Sequence, residues 1–247
     1  MKYTRDLTVQ WYDTDASRVV RPSIMMVYMM ETANMQCEQY GFGLDKLRDE
    51  KGLGFVLGSI QANFNKPLYA YDKITVRTWC RESRGYSFMR YFEIVRDGEI
   101  VAEASSTWAL LDINARTMVR GDESYDKFFP IDEPLDAKAL PRRARASKAE
   151  LDFVGTRRIV YSDIDYNMHM NNTHYPDMLC DHLSEMVDGD VAYTVGAMSL
   201  SYLKESHLGA TLTVTRGEMS EDGSIEMRTL NENGEACLEA VVKLIKI

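Results

Sequence analysis

Along most of the chain, polar and apolar residues alternate with the two-residue period of half-buried strands. Stretches of this kind, rich in β-branched and aromatic residues, predict strands over residues 54–64, 74–80, 86–96 and 99–113. A second series follows over residues 192–203, 211–217, 224–230 and 236–247. Asp97-Gly98 and Asn233-Gly234 are strong hairpin signals, because both residue types tolerate the positive φ that tight turns between strands require. Two stretches break the pattern. In the first, Met26, Met29, Met30, Ala33, Cys37 and Tyr40 recur at helical spacing, with Pro22 suited to the first turn and Gly41 to the end. In the second, Tyr175, Met178, Leu179, Leu183 and Met186 continue an apolar helical face, and Asn171 or Asn172 is placed to cap it.

The two series are copies of one unit. WYDTDASRVV before the first helix aligns with VYSDIDYNMHMNNTHY before the second, with Asp15 on Asp165 at an offset of 150. Further on, Gly58 aligns with Gly196, Phe64 with Tyr202 and Lys66 with Lys204, at an offset of 138. The final hairpins align as DGEIVAEA and NGEACLEA. The offset falls because copy one carries an extra stretch, GFGLDKLRDEKG, read as a loop. Three blocks in one order define a repeat. Each copy reads as strand, long helix and antiparallel meander, an α+β unit whose helix buries its stripe on the sheet. That arrangement resembles the hotdog fold, and two tandem hotdog units would form an intramolecular pseudo-dimer. The division expected is residues 1–120 for the first repeat, 121–150 for a linker and 151–247 for the second. The linker holds Pro130, Pro134 and Pro141 amid charges, with one short helical turn at most.

Composition narrows the class. The 247 residues carry a net charge of −9, against the positive field a nucleic-acid binder needs. No apolar stretch approaches the length of a membrane span, and the N-terminus shows no apolar signal core, so a cytoplasmic protein is expected. Cys37, Cys80, Cys180 and Cys237 lack metal or redox spacing and are expected to be reduced and buried.

Candidate chemistry emerges where the copies differ. Asn167 aligns with Ser17, His169 with Val19, Asn171 with Arg21 and Glu205 with Pro67; only Asp15 and Asp165 agree. The second copy thus carries Asp165, Asn167, His169 and Glu205 as a polar set that the first lacks. Either carboxylate could activate water as a general base, His169 could serve a carbonyl or a leaving thiol, and Asn167 could position or stabilise an oxyanion. Backbone amides at the helix start would add to that stabilisation. No metal and no other cofactor is called for.

DIDYNMHMNNTHY resembles the second-repeat motif of the acyl-acyl-carrier-protein thioesterases of the FatA/FatB type. Asp165, Asn167, His169, Asn171, Asn172 and Tyr175 match, whereas His174 and Met170 replace the usual Lys and Val. Glu205 stands at the family's downstream Glu; Ser206 stands where plant members carry Cys, so no cysteine nucleophile is offered. The resemblance implies hydrolysis of the thioester between a fatty acyl chain and acyl-carrier protein. The partner would be that carrier with its phosphopantetheine arm, and the missing transit segment implies a bacterial type. It also implies an acyl chain in the first repeat, where Met26, Met30 and Trp79 would line it and Asn171 and Asn172 would assist binding. Trp11 and Trp108 would belong to the same side, although the Met stripe serves equally as core. Arg142, Arg143, Arg145 and Lys148 form the densest basic patch for an acidic carrier, followed by Arg157 and Arg158. A homodimer is compatible with this reading. The alternatives are an acyl-CoA thioesterase working through Asp15 and Glu31, and a non-catalytic acyl-binding protein.

Overall fold

Eleven strands form one continuous sheet in a computed structural model that describes residues 2–136, 140–146, 150–186 and 193–246. The first repeat contributes β1 (Tyr3–Thr8), β2 (Leu53–Phe64), β3 (Lys73–Cys80), β4 (Phe88–Arg96), β5 (Glu99–Asp112) and the short β6 (Thr117–Val119). The second contributes β7 (Asp152–Arg158), β8 (Tyr193–Tyr202), β9 (Thr211–Arg216), β10 (Ser224–Leu230) and β11 (Ala236–Lys246). Their order is β1-β3-β4-β5-β2-β8-β11-β10-β9-β7, with β6 beside β5. Each half reads the same from its edge strand to the centre, and every strand pair is antiparallel. At the seam between β2 and β8, Gln61 pairs with Ser199, two positions separated by the 138 residues of the sequence offset. The pseudo-twofold axis passes there. Two hotdog units sharing one sheet are the architecture expected. Ala192 and Ile247, at the ends of two expected strands, lie outside the described residues, as does Lys148.

The helices differ between the halves. In α1 (Pro22–Gln39) Pro22 occupies the first turn, and Gly41 follows the end at φ +73°. The extra stretch of copy one, expected as a loop, holds a second helix, α2 (Leu44–Lys51), closed by Gly52 at φ +63°. Its pattern is short and charged, with Leu44 and Leu47 alone marking an apolar side. A single turn, α3 (Glu123–Asp126), opens the connecting segment. The helix of the second half, α4 (His174–Cys180), has 7 residues rather than a long run. Asp181 places negative charge at its C-cap, where the helix dipole opposes it, whereas Asp177 lies in the first turn. Leu183 and Met186 therefore fall in a turn and a 3₁₀ segment beyond it.

Met25, Met26, Met29 and Met30 of α1 pack with Met178 and Leu179 of α4 and with Ile60, Phe92, Met198 and Leu200 of the sheet. Both repeats thus share one main core. A separate cluster of Phe42, Leu47, Phe88 and Leu110, edged by Phe55, Phe128 and Phe129, belongs to the first half. The connecting segment is not solvated along its whole length. The indole N–H of Trp79 donates to the Glu133 carbonyl at 2.7 Å, and Ala144 is buried between Ser199 and Ser201. Among the described residues no helix is long and apolar enough to cross a membrane.

Candidate active site

Each repeat builds the same turn ahead of its helix. In the first, the Asp15 carboxylate accepts the amides of Ser17 (2.8 Å) and Val19 (3.1 Å), and Thr14 bridges to Val20. In the second, the Asp165 carboxylate accepts the Asn167 amide (2.9 Å), and Ile164 bridges to Met170. Arg18 and Met168 occupy the same left-handed position, at φ +67° and +66°. The Asp is thus the residue the turn needs in both halves, and its retention in copy one follows from backbone geometry. The turn does not require Asn167 or His169, since Ser17 and Val19 complete it equally well.

Three elements bring the polar set together. The turn carries Asp165, Asn167 and His169; the stretch after β8 carries Glu205. Met170 N–H donates to the Ser206 carbonyl at 2.7 Å and His169 bridges to His207, which stitches the turn to that stretch. As a result His169 Nε2 lies 3.8 Å from Glu205 Oε1, both groups open to solvent. α2 of the first repeat supplies the third element. Arg48 Nη1 donates to Asn167 Oδ1 at 3.0 Å, and its guanidinium lies 5.4 Å from the Tyr166 ring centre. A guanidinium only donates, so it selects the amide oxygen of Asn167 and leaves the NH₂, which donates to the Tyr166 hydroxyl, as the donor end. Sequence comparison missed Arg48 because the contact joins residues 119 apart and the extra stretch has no counterpart in copy two.

The remaining candidates occupy other places. Asn171 Oδ1 accepts from the Thr173 amide (2.9 Å) and hydroxyl (2.8 Å), and its NH₂ reaches Asp165 Oδ2 at 3.4 Å. It fastens the turn to α4. The carbonyl of Asn172 accepts from the Tyr202 hydroxyl at 2.9 Å. With the Thr173 amide taken by Asn171 and α4 so short, the helix start does not supply the anion-binding amides expected of it. Ser206 is buried and accepts from the Tyr175 hydroxyl at 2.9 Å, a structural bond within the core. Met26 and Met30 lie in the shared core. Trp79 does not join them: it pairs across from Tyr91 on the sheet face opposite α1, beneath the connecting segment. Trp11 is 71% exposed, whereas Trp108 packs against both apolar clusters. Glu31 is exposed and accepts from the Asn34 side-chain amide at 3.3 Å. Arg142, Arg143 and Arg145 are exposed, and Arg157 is committed to Asp163 and Asp181. Among the described residues no three His, Cys, Asp or Glu side chains converge as a metal site.

All four cysteines are free thiols. Burial pushes Cys80 up to about 11 and Cys180 up to about 12, so neither forms thiolate at neutral pH. Native protein treated with iodoacetamide at pH 7 is expected to leave both unmodified, as peptide mass analysis would show. Rapid carboxymethylation of either would contradict this packing.

The paired units, the seam and the turn geometry define the class: a double-hotdog protein built on one sheet. Solved structures agree. An acyl-ACP thioesterase from Bacteroides thetaiotaomicron superposes at a TM-score of 0.84 with 22% identity, covering 98% of this chain and 97% of that one. The 12:0-ACP thioesterase of Umbellularia californica superposes at 0.86 with 16% identity, covering 100% and 98%. The sequence model of the acyl-ACP thioesterase N-terminal domain matches residues 1–128, and that of the C-terminal domain matches residues 147–245. The chain belongs to the acyl-ACP thioesterase family. A chloroplastic palmitoyl-acyl carrier protein thioesterase of Arabidopsis thaliana is 26% identical over 188 residues, 70% of this chain and 45% of that protein. The chain therefore spans about half the length of the curated relatives it matches.

Proposed function

We propose that the protein hydrolyses fatty acyl-acyl-carrier protein to free fatty acid and the carrier thiol. One observation carries the reading. The two turns share one backbone geometry, and only the second adds Asn167 and His169, with Glu205 beside His169. Glu205 is the better base, because both Asp165 oxygens are engaged within the turn. Glu205, with His169 beside it, takes a proton from water as the water oxygen bonds to the thioester carbon. The NH₂ of Asn167 moves from the Tyr166 hydroxyl to donate to the carbonyl oxygen as negative charge gathers there. The C–S bond then breaks, and the thiolate takes the proton back through His169. The 3.8 Å between His169 and Glu205 is a resting distance of the kind that tightens when substrate binds.

The carrier is assigned from family membership, and the test is direct. The same acyl chain is presented to one preparation on acyl-carrier protein and on coenzyme A. Faster turnover of the carrier-protein thioester is expected; preference for the coenzyme A ester would transfer the assignment to acyl-CoA. Arg48 acts as a positioning residue in this scheme. Arg48→Ala is expected to lower kcat roughly three- to tenfold, the worth of one orienting hydrogen bond, with KM little changed and partial recovery in Arg48→Lys. An unchanged kcat would remove Arg48 from the site.

A further inference from the structure

Beside the first-repeat turn the chain exposes four aromatic side chains: Trp11 (71%), Tyr12 (71%), Tyr69 (46%) and Tyr71 (70%). They stand on adjoining stretches. Tyr71 N–H donates to the Val9 carbonyl, Val9 N–H to the Asp72 carbonyl and Val20 N–H to the Leu68 carbonyl, each at 2.9 Å. The second repeat makes the same crossing through Gly209 N–H, which donates to the Ile159 carbonyl at 2.9 Å. Gly209 is therefore the counterpart of Tyr71, and the two take φ +86° and +72°. That left-handed region suits glycine and strains a residue with a β-carbon. At the offsets of the repeat, Ser162 and His207 stand for Tyr12 and Tyr69, and Tyr161 alone keeps a ring, in the place of Trp11. The fold thus holds a strained, solvent-exposed tyrosine where glycine serves, and strain without a packing return points to function.

Size, charge and composition narrow the partner. At about 200 Å² for a whole aromatic side chain, these exposures leave roughly 500 Å² of ring surface in water, the size of a working patch. A stable interface with a second copy takes about 800 Å² from each partner, and two chains of net charge −9 repel one another. Residues 9–20 and 65–73 are nevertheless locally neutral, with Asp13, Asp15 and Asp72 against Arg18, Lys66 and Lys73. Every large exposed apolar residue in these stretches is Trp or Tyr, with no aliphatic one among them. Trp and Tyr without aliphatic neighbours is the composition that settles at the boundary between lipid and water.

We propose that Trp11, Tyr12, Tyr69 and Tyr71 form a docking surface for the headgroup layer of a phospholipid bilayer. The ring bodies leave water there, while the indole N–H and phenol O–H groups donate to ester and phosphate oxygens. Arg18 and Lys73, exposed in the same stretches and in no ion pair among the described residues, donate to phosphate. The attachment is peripheral, and it holds whether or not the thioesterase reading does.

The test floats the full chain with phosphatidylcholine vesicles and follows tryptophan emission. Wild type is expected to float with the lipid, with emission moved to the blue and quenched by bromine-labelled acyl chains. Trp11 reports this, because Trp79 is buried and Trp108 packs on both apolar clusters. Trp11→Ala lowers the partition coefficient about tenfold or more. Tyr71→Gly lowers it severalfold and melts no lower than wild type, since it relieves the left-handed strain. Tyr161→Ala, at the counterpart of Trp11, leaves partition unchanged. A wild type that stays with the aqueous fraction overturns the proposal, whatever the variants do. So does partition that Trp11→Ala and Tyr71→Gly leave intact, or that Tyr161→Ala lowers equally. A wild-type dimer in sedimentation equilibrium that Trp11→Ala dissociates also overturns it, and assigns the surface to a second copy. None of these readouts depends on turnover, so loss of the thioesterase reading and loss of this one are told apart.

Discussion

His169→Ala is expected to lower kcat on an acyl-carrier-protein thioester by about 10²- to 10⁴-fold, the range for loss of a general acid–base group. KM and the melting temperature are expected to change little, because His169 is partly exposed and its side chain makes only the long contact to Glu205. Glu205→Gln should fall in the same range, since it removes the proton acceptor and keeps the shape. The double variant should be hardly slower than either single one, because the two groups serve one proton transfer. Steady-state kinetics on all three variants checks this. Full multiplication of the two losses would mean that the groups act in separate steps.

The second large effect is a contrast between equivalent positions. Asp15 and Asp165 make the same turn with the same main-chain bonds, and each carboxylate accepts the amide two residues on. Asp15→Ala and Asp165→Ala therefore disturb the fold similarly, each by about 1 kcal/mol for the lost turn hydrogen bonds. Only Asp165→Ala frees the loop that presents Asn167 and His169. Its kcat/KM is expected to drop by about 100-fold or more, while Asp15→Ala keeps wild-type turnover. Each variant is measured for melting temperature and for kcat/KM on one substrate. Loss of activity in Asp15→Ala with retention in Asp165→Ala would place the chemistry in the first repeat.

The features legible in sequence were those written twice. The offset of 138 found by alignment returns as the pairing of Gln61 with Ser199, and the strand pattern returns with ends moved by one or two residues. Asp97 and Gly98 both take the positive φ that their hairpin implied, whereas the second hairpin uses a longer loop closed by Asn231 and Glu235. Features present in one copy only were harder. α2 hides in a charged stretch with two leucines to mark its apolar side. Trp79 lies on a strand buried on both faces, where alternation cannot say which face a residue takes. Arg48 owes its place beside Asn167 to a contact between distant segments, which no local pattern encodes. The motif resemblance offers Asn171 to substrate; in the fold its amide is engaged by Thr173 and Asp165.

The seam between β2 and β8 has a consequence for how such a molecule behaves in dilute solution. Two separate subunits joined along an axis must carry every residue in duplicate, and they part when their concentration falls. Here Gln61 meets Ser199, unlike partners, and a peptide tether keeps the halves at a fixed effective concentration. Specific activity should therefore be indifferent to enzyme concentration. One half is also free to become greasy and the other reactive, a division of labour closed to a symmetric pair.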